Sequence, residues 1–350
     1  MATSNAATTY LERRVLDYIF KNDSLSFASP GNNIYVGLAT AVSAAENGNL
    51  TEVQIDTDDA DYTRQQVSAA NWKQSVSTLG LAATNSATVL HVADAEAFPT
   101  SGTVNINDEL VTYTGKGSTA TADVNGALSS STALVVDGNS GTIAVGMKVT
   151  GTGISGTVYV TTVTDQNNLV VNTAITVSDD VALTFDGTNT LTGCTRGASS
   201  TTAAAHSAAD TIISDAQRVI NDNNIEFPAA AGTAASYTVT HAFVADGQIA
   251  HANVNGAVSS SANVAVDGND GTIAVGDIVT GTGISGVVRV QTVTDQNTLV
   301  FDTAVTLSDD VVLTFDGTNI LFVGALDASK SVAAGDIFRI NASNLSIELK

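Results

Sequence analysis

One stretch of this 350-residue chain occurs twice, and this duplication constrains the fold more than any other feature of the sequence. Residues 122–189 align without a gap on residues 252–319, and roughly 50 of about 68 aligned positions are identical. The copies share "VDGN", "GTIAVG", "VTGTGISG", "TVTDQN", "SDDV" and "LTFDGTN". Because unrelated sequence separates them, they are duplicated modules and not neighbouring repeats of a solenoid.

Each module has the pattern of a small β domain. Short runs rich in Val, Ile and Thr, such as "ALVVDG", "TVYVTTVT" and "NLVVNT", alternate with Asp-Gly and Asn-containing turns. About five strands in fewer than about 70 residues predict a small sandwich or barrel.

The positions of the modules predict a nested chain. Without residues 122–189, "NDELVTYTGKGSTAT" is followed by "LTGCTRGASSTT". Without residues 252–319, "YTVTHAFVADGQ" is followed by "ILFVGALDASKS". Both rejoined pairs have the pattern of a β-hairpin, and a hairpin tip accepts an insertion at small entropic cost. We therefore predict an all-β, nested multi-domain chain of small sandwich or barrel domains, with the following parts: a host domain (1–80, 214–250 and 320–350), a small inserted β domain (84–121 and 190–213), module 1 (122–189) and module 2 (252–319).

The host domain begins with the clearest helical pattern in the chain. Thr9 and Glu12 have the spacing of a capping box. An apolar stripe follows at helical spacing, formed by Leu11, Val15, Leu16, Ile19 and Phe20. We predict an amphipathic helix that packs on the edge of a β-sandwich or contacts a neighbouring molecule.

The charge and the cysteine content exclude several classes of function. The formal net charge is −22, and only 13 residues are Lys or Arg. Nucleic acid and anionic membranes repel such a surface, so neither is an expected partner. The single cysteine, Cys194, excludes an intrachain disulfide framework and a cysteine-based zinc site, and its context predicts a small buried residue. The sequence also contains no secretory signal pattern and no apolar run of about 18 residues, so we expect no membrane insertion.

The glycines of "VTGTGISG" (149–156) have the spacing of a dinucleotide-binding loop. Such a loop requires a helix after it, because the helix N-terminus binds the pyrophosphate. Here "TVYVTTVT" follows in one module and "VVRVQTVT" in the other, and both runs have the pattern of strands. We therefore interpret Gly151, Gly153 and Gly156 as turn glycines.

Two acidic motifs superficially resemble cation sites. The run "IDTDDADYT" contains Asp56, Asp58, Asp59 and Asp61, but it fails the EF-hand pattern because Asp61 and Val67 occupy the places of the required Gly and Glu. We expect a solvated loop there, with opportunistic cation binding as the alternative. "SDDV" occurs in both modules, and we expect its aspartates to cap turns.

The remaining side chains give no pattern of an active site. His91, His206, His241 and His251 are scattered and lack metal-ligand spacing, so we expect packing or surface histidines. We predict no catalytic, cofactor-binding or metal-binding residues, and no cofactor. Trp72 is the only tryptophan, and this scarcity weakens the case for a sugar-binding platform.

The host segments resemble a known family. "TTYLERRVLDYIF", "NNIYVGLAT", "YTRQQVSAANW" and "ILFVGALDASKSVAAGDIFRINASNLSIEL" are similar to tailed-bacteriophage virion proteins often labelled tail fibre or structural protein. The segment "FPTSGTVNINDELVTYTG…LTGCTRG…AAAHSAAD" resembles a small β domain of other phage structural proteins, and "VGMKVTGTGISG" resembles β repeats common in marine cyanophage virion proteins.

The resemblance implies a non-enzymatic structural component of a phage virion, assembled in the host cytoplasm. The host domain would dock on the capsid or the tail, and the inserted modules would project outward. The expected partners are other virion proteins and further copies of the chain, in a trimer or a ring. The alternative is a tail-fibre adhesin that contacts host-surface glycans. Capsid decoration competes with a fibre position, because a fibre shaft would need long periodic stretches that the sequence lacks.

Overall fold

The computed structural model describes residues 6–21, 34–55, 57–232 and 236–349. These residues form one α-helix, α1 (Thr9–Lys21), three short 3-10 helices (Ala45–Asn47, Ala69–Asn71 and Ala198–Ser200) and 30 strands. The all-β class with one N-terminal helix is therefore confirmed.

The strands have the following bounds. Up to the end of module 1 they are β1 (Ala6–Ala7), β2 (Ile34–Ala44), β3 (Asn49–Glu52), β4 (Gln65–Val67), β5 (Trp72–Gln74), β6 (Val76–Thr78), β7 (Val89–His91), β8 (Gly102–Ile106), β9 (Glu109–Tyr113), β10 (Gly115–Lys116), β11 (Thr119–Val124), β12 (Leu128–Ser140), β13 (Lys148–Gly151), β14 (Val158–Asp165), β15 (Asn168–Val177) and β16 (Ala182–Asp186). The remaining strands are β17 (Thr190–Thr192), β18 (Thr211–Ser214), β19 (Gln217–Asn221), β20 (Ile225–Ala229), β21 (Ser236–Ala245), β22 (Ala250–Val254), β23 (Val258–Asp270), β24 (Ile278–Gly281), β25 (Val288–Asp295), β26 (Thr298–Leu307), β27 (Val312–Asp316), β28 (Ile320–Ala333), β29 (Ile337–Ile340) and β30 (Ser346–Leu349).

The chain divides into two compact units. The first contains Met1–Asn71 and Asn223–Asn341, and the second contains Trp72–Asp222 and Ala342–Lys350. Module 2 lies within the first unit and module 1 within the second. The boundaries of the four predicted domains stay a prediction.

The first unit is built on a six-stranded sheet in the order β1-β28-β21-β2-β3, in which β4 also pairs with β2; we call it the host sheet. The pairing of β21 with β28 joins the two segments that flank module 2, as the rejoined sequence predicted. Gly37 of β2 has a packing role here. A Cβ at this position would lie 2.1 Å from Cζ of Phe243, so glycine leaves the room that the tip of that buried ring occupies.

Each module closes into a six-stranded barrel. The strand order is β11-β12-β15-β14-β13-β16 in module 1 and β22-β23-β26-β25-β24-β27 in module 2. The sequence indicated about five strands, and the one it missed is β11, "TATADV". Its buried face consists of Ala120, Ala122 and Val124, and alanine has little strand propensity, so the pattern is weak.

The cores of the two barrels differ by offsetting substitutions. Val171 corresponds to Phe301, which adds volume, whereas Leu134 corresponds to Val264, which removes it. All four side chains are at least 97% buried. A barrel interior tolerates such swaps when the total volume is kept.

The second unit carries three small sheets beside the barrel of module 1. Their strand orders are β6-β18-β8-β9, β10-β17-β7 and β30-β19-β5. The segments that flank module 1 pair with each other, because β10 pairs with β17 and Thr112 bridges to Thr195. This pairing was also predicted from the rejoined sequence. The core of the small sheets includes Phe98, Val104 and Leu191.

The start of helix α1 differs from the prediction by one residue. The helix begins at Thr9, and Oγ1 of Thr8 accepts a hydrogen bond from the amide of Leu11 at 3.4 Å. Thr8 is therefore the capping residue, and the predicted capping box of Thr9 and Glu12 is wrong. Thr8 Oγ1 also donates to the carbonyl oxygen of Ile320 at 2.6 Å, so β28 fixes the position of the cap.

Candidate functional site

The "VTGTGISG" loops are turns between strands. Gly153 and Gly156 have φ angles of +87° and +72°, and strand β14 follows at Val158. In module 2 Gly283 and Gly286 have φ angles of +91° and +73°, and strand β25 follows at Val288. Neither loop leads into a helix N-terminus, so neither has the donors of a dinucleotide site.

Three loops meet at one end of each barrel, which we call the module end. In module 1 the amide of Gly126 donates to Oδ1 of Asp179 at 2.6 Å, and the amide of Ser130 donates to Oγ1 of Thr176 at 3.0 Å. A Cβ on Gly153 would lie 3.1 Å from the carbonyl oxygen of Thr176. These contacts join residues 125–130, 151–156 and 173–180. Asp179 of "SDDV" thus caps the amide of Gly126 in the neighbouring loop.

The same contacts recur in module 2. The amide of Gly256 donates to Oδ1 of Asp309 at 2.6 Å, and the amide of Ser260 donates to Oγ1 of Thr306 at 3.1 Å. A Cβ on Gly283 would lie 3.0 Å from the carbonyl oxygen of Thr306. The two module ends therefore have the same internal geometry.

The exposed residues of the module ends are identical in the two copies. None of the exposed positions in 125–130, 151–156 and 173–180 differs from its counterpart. Exposed positions elsewhere do differ, as in Ser140 against Asp270, Thr161 against Gln291 and Asn172 against Asp302. The duplication has thus kept one face of the module unchanged while other faces diverged.

The opposite end of module 2 is joined to the host sheet through Arg64. Its guanidinium donates to Glu52 with Nε at 2.8 Å and Nη2 at 2.7 Å, a bidentate pair. Nη2 also lies 3.0 Å from Oδ2 of Asp316, and Nη1 donates to Oγ1 of Thr318 at 2.6 Å and to the carbonyl oxygen of Gly247 at 3.0 Å. Arg64 thereby joins the host sheet to both segments that flank module 2.

The Arg64 cluster is closed to solvent. The side chain of Arg64 is fully buried and its guanidinium lies 5.1 Å from the ring centroid of Phe243. Burial opposes the charged form, but Glu52 and Asp316 outweigh it and raise the pKa of Arg64. Tyr62 donates to Oε1 of Glu52 at 2.8 Å and accepts from the amide of Leu38. Tyr62 and Arg64, which begin the segment "YTRQQVSAANW", therefore bind the same carboxylate.

Module 1 meets its neighbouring sheets through a different set of side chains. The ring of His91 lies 4.2 Å from that of Tyr159, between ring centroids. Burial lowers the pKa of His91 to about 4, against the opposing charge of Asp186. Oδ1 of Asn189 accepts from the amide of Ala95 at 2.9 Å. His91 is therefore neutral at pH 7 and acts as a packing residue, as the sequence indicated.

Both modules end in the same attachment sequence, "FDGTN". Asp186 and Asp316 each accept hydrogen bonds from the amide and hydroxyl of the threonine two residues later, at 2.6–2.9 Å. In module 2, Asn319 donates twice to Asp246, at 2.6 and 2.9 Å. The same turn thus ends each barrel, and different residues outside the barrel contact it in the two modules.

A second buried charge cluster lies in the small sheets of the second unit. Oε1 of Glu109 accepts from Nε of Arg196 and from the amide of Gly197, both at 2.9 Å. Oε2 accepts from Nη2 of Arg196 at 2.8 Å, from the amide of Ala204 at 3.0 Å and pairs with Nε2 of His206 at 2.7 Å. We call Glu109, Arg196 and His206 the Glu109 clasp.

The Glu109 clasp is arranged for stability and not for proton transfer. Burial disfavours the carboxylate, but the hydrogen bonds from Arg196, Ala204, Gly197 and His206 outweigh it and lower the pKa of Glu109 to about 2. A general acid needs a pKa near the working pH, and every oxygen position here is already occupied by an internal donor. The clasp holds the loop 196–206 against β9. Sequence analysis missed it, because these residues are far apart in the chain.

The other residues that the sequence analysis considered as candidates make local contacts. Cys194 is buried, its thiol donates to the carbonyl oxygen of Leu191 at 3.3 Å, and burial raises its pKa to about 11, which makes it unreactive. His241 pairs with Oγ1 of Thr240 at 2.8 Å. Burial lowers the pKa of His251. The positive charge of Arg64 lowers this pKa further, and the negative charge of Asp270 opposes the shift. Trp72 is half-buried in β5.

The acidic run 55–63 is only in part the solvated loop that we expected, because Asp61 is exposed and Asp59 is not. Asp59 is 97% buried, where its carboxylate accepts from Tyr237 Oη at 2.9 Å and from the amide of Ala231 at 3.0 Å. Buried carboxylates need such donors. Asp56 lies outside the described residues. Within the described ranges, no group of three or more His, Cys, Asp or Glu side chains is arranged to hold a metal ion.

No helix in the described part of the chain is long and apolar enough to span a membrane. No curated protein and no solved structure matches the chain.

Residues 6–146 match a family model described as "Podophage GP4 fiber I protein gp80". The match begins at β1 and runs through the Tyr62–Arg64 segment and the first half of the Glu109 clasp into the barrel of module 1. This match confirms the resemblance that the sequence predicted, to virion structural proteins of tailed phages with tail-fibre labels.

Proposed function

We propose that the chain is a non-enzymatic structural component of a tailed-phage virion. The observation that carries this proposal is the fibre-family match over residues 6–146. The geometry supports it, because the buried charge clusters are saturated by internal hydrogen bonds and act as clasps. The host sheet docks on the capsid or tail, and the two barrels project from hairpin tips, where they leave the docking surface undisturbed.

The proposed partners are other virion proteins and further copies of this chain, and assembly takes place in the cytoplasm of the infected host. The test is mass spectrometry of gradient-purified virions of the encoding phage, followed by antibody labelling in electron microscopy. We expect the chain in many copies per particle, at the capsid or along the tail. Its absence from purified virions would overturn the proposal.

A second candidate function is adhesion to host-surface glycans. The observation that favours it is the identity of the exposed module ends, since a binding face that is duplicated unchanged gives two equivalent sites per chain and hence avidity. Small hydroxyl, amide and carboxylate side chains at these ends (Asn125, Ser129, Thr152, Ser155, Ser178 and Asp180) are hydrogen-bonding groups for a polyhydroxylated ligand.

The adhesin function can be tested with the full chain on an array of bacterial surface glycans. Thr152→Arg with Thr282→Arg alters both module ends. Thr161→Arg with Gln291→Arg, at exposed positions that already differ between the copies, is the matched control. We expect the first pair to abolish binding, the control to bind normally, and either end variant alone to weaken avidity at least about tenfold. If the unaltered chain binds no glycan, the adhesin function is wrong and the modules act as spacers.

A further inference from the structure

Helix α1 presents an uncovered apolar face. Val15, Leu16, Ile19 and Phe20 are 40%, 54%, 59% and 78% exposed. At about 100° per residue these four side chains cover about 140° of the helix circumference. Contiguous exposed apolar surface on a water-soluble fold is characteristic of an interaction site.

The beginning of the helix is firmly attached to the host sheet. Ala6 and Ala7 pair with Val323 and Phe322 of β28. Thr8 adds two hydrogen bonds to β28, from its amide to the carbonyl oxygen of Leu321 at 2.9 Å and from its hydroxyl to that of Ile320 at 2.6 Å. The host sheet therefore fixes the point from which the apolar face is presented.

We propose that the apolar face of α1 is the self-association surface of the chain, and that the α1 helices of several copies pack against one another. A second copy must supply apolar surface of similar size, and in the described residues only the same helix does. The other exposed large apolar side chains form no patch of that size: Val76 and Ile213 are partners across β6 and β18, and the rest lie one to a strand or loop (Val135, Val145, Val275, Val287 and Ile337).

The width of the face sets the minimum number of copies. A two-helix seam uses only the narrow stripe of a and d positions, whereas this face is wider. Each helix therefore needs at least two neighbours to cover it, which corresponds to three or more copies. Glu12 lies on the same side one turn earlier and is exposed, so the packed part begins at Val15.

The charge distribution is consistent with a bundle of like helices. The helix segment 9–21 carries three basic residues (Arg13, Arg14 and Lys21) and two acidic ones, whereas the whole chain has a net charge of −22. The bodies of neighbouring copies repel one another, whereas the helix, with three basic and two acidic residues, adds nothing to the net negative charge. Added salt screens this repulsion, so it strengthens association through apolar faces. Binding of the basic side of the helix to an anionic membrane would respond in the opposite direction.

This inference rests on the homo-oligomer proposed above. Its test is sedimentation velocity of the full chain over a range of micromolar concentrations. We compare the natural sequence with Leu16→Gln/Phe20→Gln, which keeps helix formers on the face. The matched control is Val275→Thr/Val287→Thr, at two valines that are 66% and 69% exposed on module 2. Far-UV circular dichroism and a thermal melt establish that each variant folds.

We expect the natural chain and the control to sediment as three or more copies, more strongly at high salt. The helix variant should dissociate at a concentration at least about tenfold higher. If the natural chain is oligomeric and the helix variant is unchanged, the α1 interface is wrong and the homo-oligomer stands. If the natural chain is monomeric throughout, both are wrong. Cosedimentation with phosphatidylglycerol vesicles that salt abolishes would identify α1 as a membrane-binding helix and overturn the proposal.

Discussion

Glu109 shows how a single buried carboxylate organises a loop in this chain. Its two oxygens bind three side-chain nitrogens and two backbone amides of residues 196–206. The side chains of Glu109 and Arg196 are 98% and 95% buried. Removing one member of such a pair leaves the other charge buried without a partner, which is far more costly than losing an exposed pair.

Glu109→Gln tests this arrangement. We expect it to lower the free energy of unfolding by about 3–5 kcal/mol, because Arg196 keeps its charge in the interior. Urea unfolding followed by circular dichroism measures the change. The matched control is Glu226→Gln, whose ion pair with Arg339 is half-exposed and should contribute less than about 1 kcal/mol. Equal effects of the two substitutions would contradict the role of the clasp.

His91 makes the stability depend on pH. Its pKa is about 4 in the fold against an ordinary value of 6.5, so between these values the unfolded chain binds the proton and the fold does not. The contribution is therefore complete above pH 6.5 and is lost as the pH falls to about 4, by up to about 3 kcal/mol.

The variant His91→Phe keeps an aromatic ring against Tyr159 and removes the titration. The free energy of unfolding of this variant, measured by urea titration at several pH values, should vary less between pH 6.5 and 4 than that of the natural chain. The titration of Glu109 does not affect this measurement between pH 6.5 and 4.5. Its contribution to the free energy of unfolding is complete above pH 4.5 and is lost only as the pH falls to about 2. An unchanged pH profile in His91→Phe would show that His91 does not titrate as described.

At the scale of the elements, the loops between strands depend on glycine for two separable reasons. Gly126 and Gly153 both have a φ of +87°, which side chains with a Cβ rarely adopt. A Cβ on Gly126 meets nothing within 4 Å, whereas a Cβ on Gly153 lies 3.1 Å from the carbonyl oxygen of Thr176. The pair therefore separates backbone strain from steric contact.

We expect Gly126→Ala to lower the free energy of unfolding by about 1 kcal/mol through strain alone. Gly153→Ala should cost about 1 kcal/mol more, because the strand bearing Thr176 must also move. Parallel thermal melts of the two variants measure the difference. If Gly126→Ala is as damaging as Gly153→Ala, the close approach in the "VTGTGISG" loop contributes nothing.

At the scale of the whole molecule, the net charge of −22 opposes the compact state. Raising the NaCl concentration from about 0.05 M to about 0.5 M shortens the Debye length and screens this repulsion. We therefore expect Tm to rise by several degrees, measured by differential scanning fluorimetry. An isosmolar amount of sucrose is the control for non-ionic effects. A fall of Tm with salt would mean that attractive ion pairs dominate the surface.

The nested plan of the molecule explains why one module sequence serves at two places. Each barrel ends in the same "FDGTN" turn, and the residues that contact the attached end of the barrel differ: Arg64 and Asp246 for module 2, Ala95 and His91 for module 1. The turn and the exposed module end are the same in both copies, whereas the side chain that meets His91 in module 1, Tyr159, corresponds to Arg289 in module 2.

The sequence by itself determined the strand-rich class, the duplication and the pairing of the segments that flank each module. These features are written in local patterns: alternating β-branched residues, turn residues and an alignment without gaps. It also identified the "VTGTGISG" glycines as turns, because the following residues alternate as a strand does. The sequence did not predict the strand "TATADV", because alanine weakens its pattern. It also predicted the wrong capping residue for the helix, because two adjacent threonines both fit that role.

Only the tertiary structure decided which charges are buried and what they bind. Glu109 meets residues about 90 positions later, and Arg64 meets Asp316 more than 250 positions later. No local pattern predicts such a pairing, because an Asp or Glu that will be buried cannot be distinguished in the sequence from one that will be exposed to solvent. Asp59 was misjudged for this reason. The exposure of the apolar face of α1 was likewise decided by packing, since periodicity indicates an apolar face but not whether anything covers it.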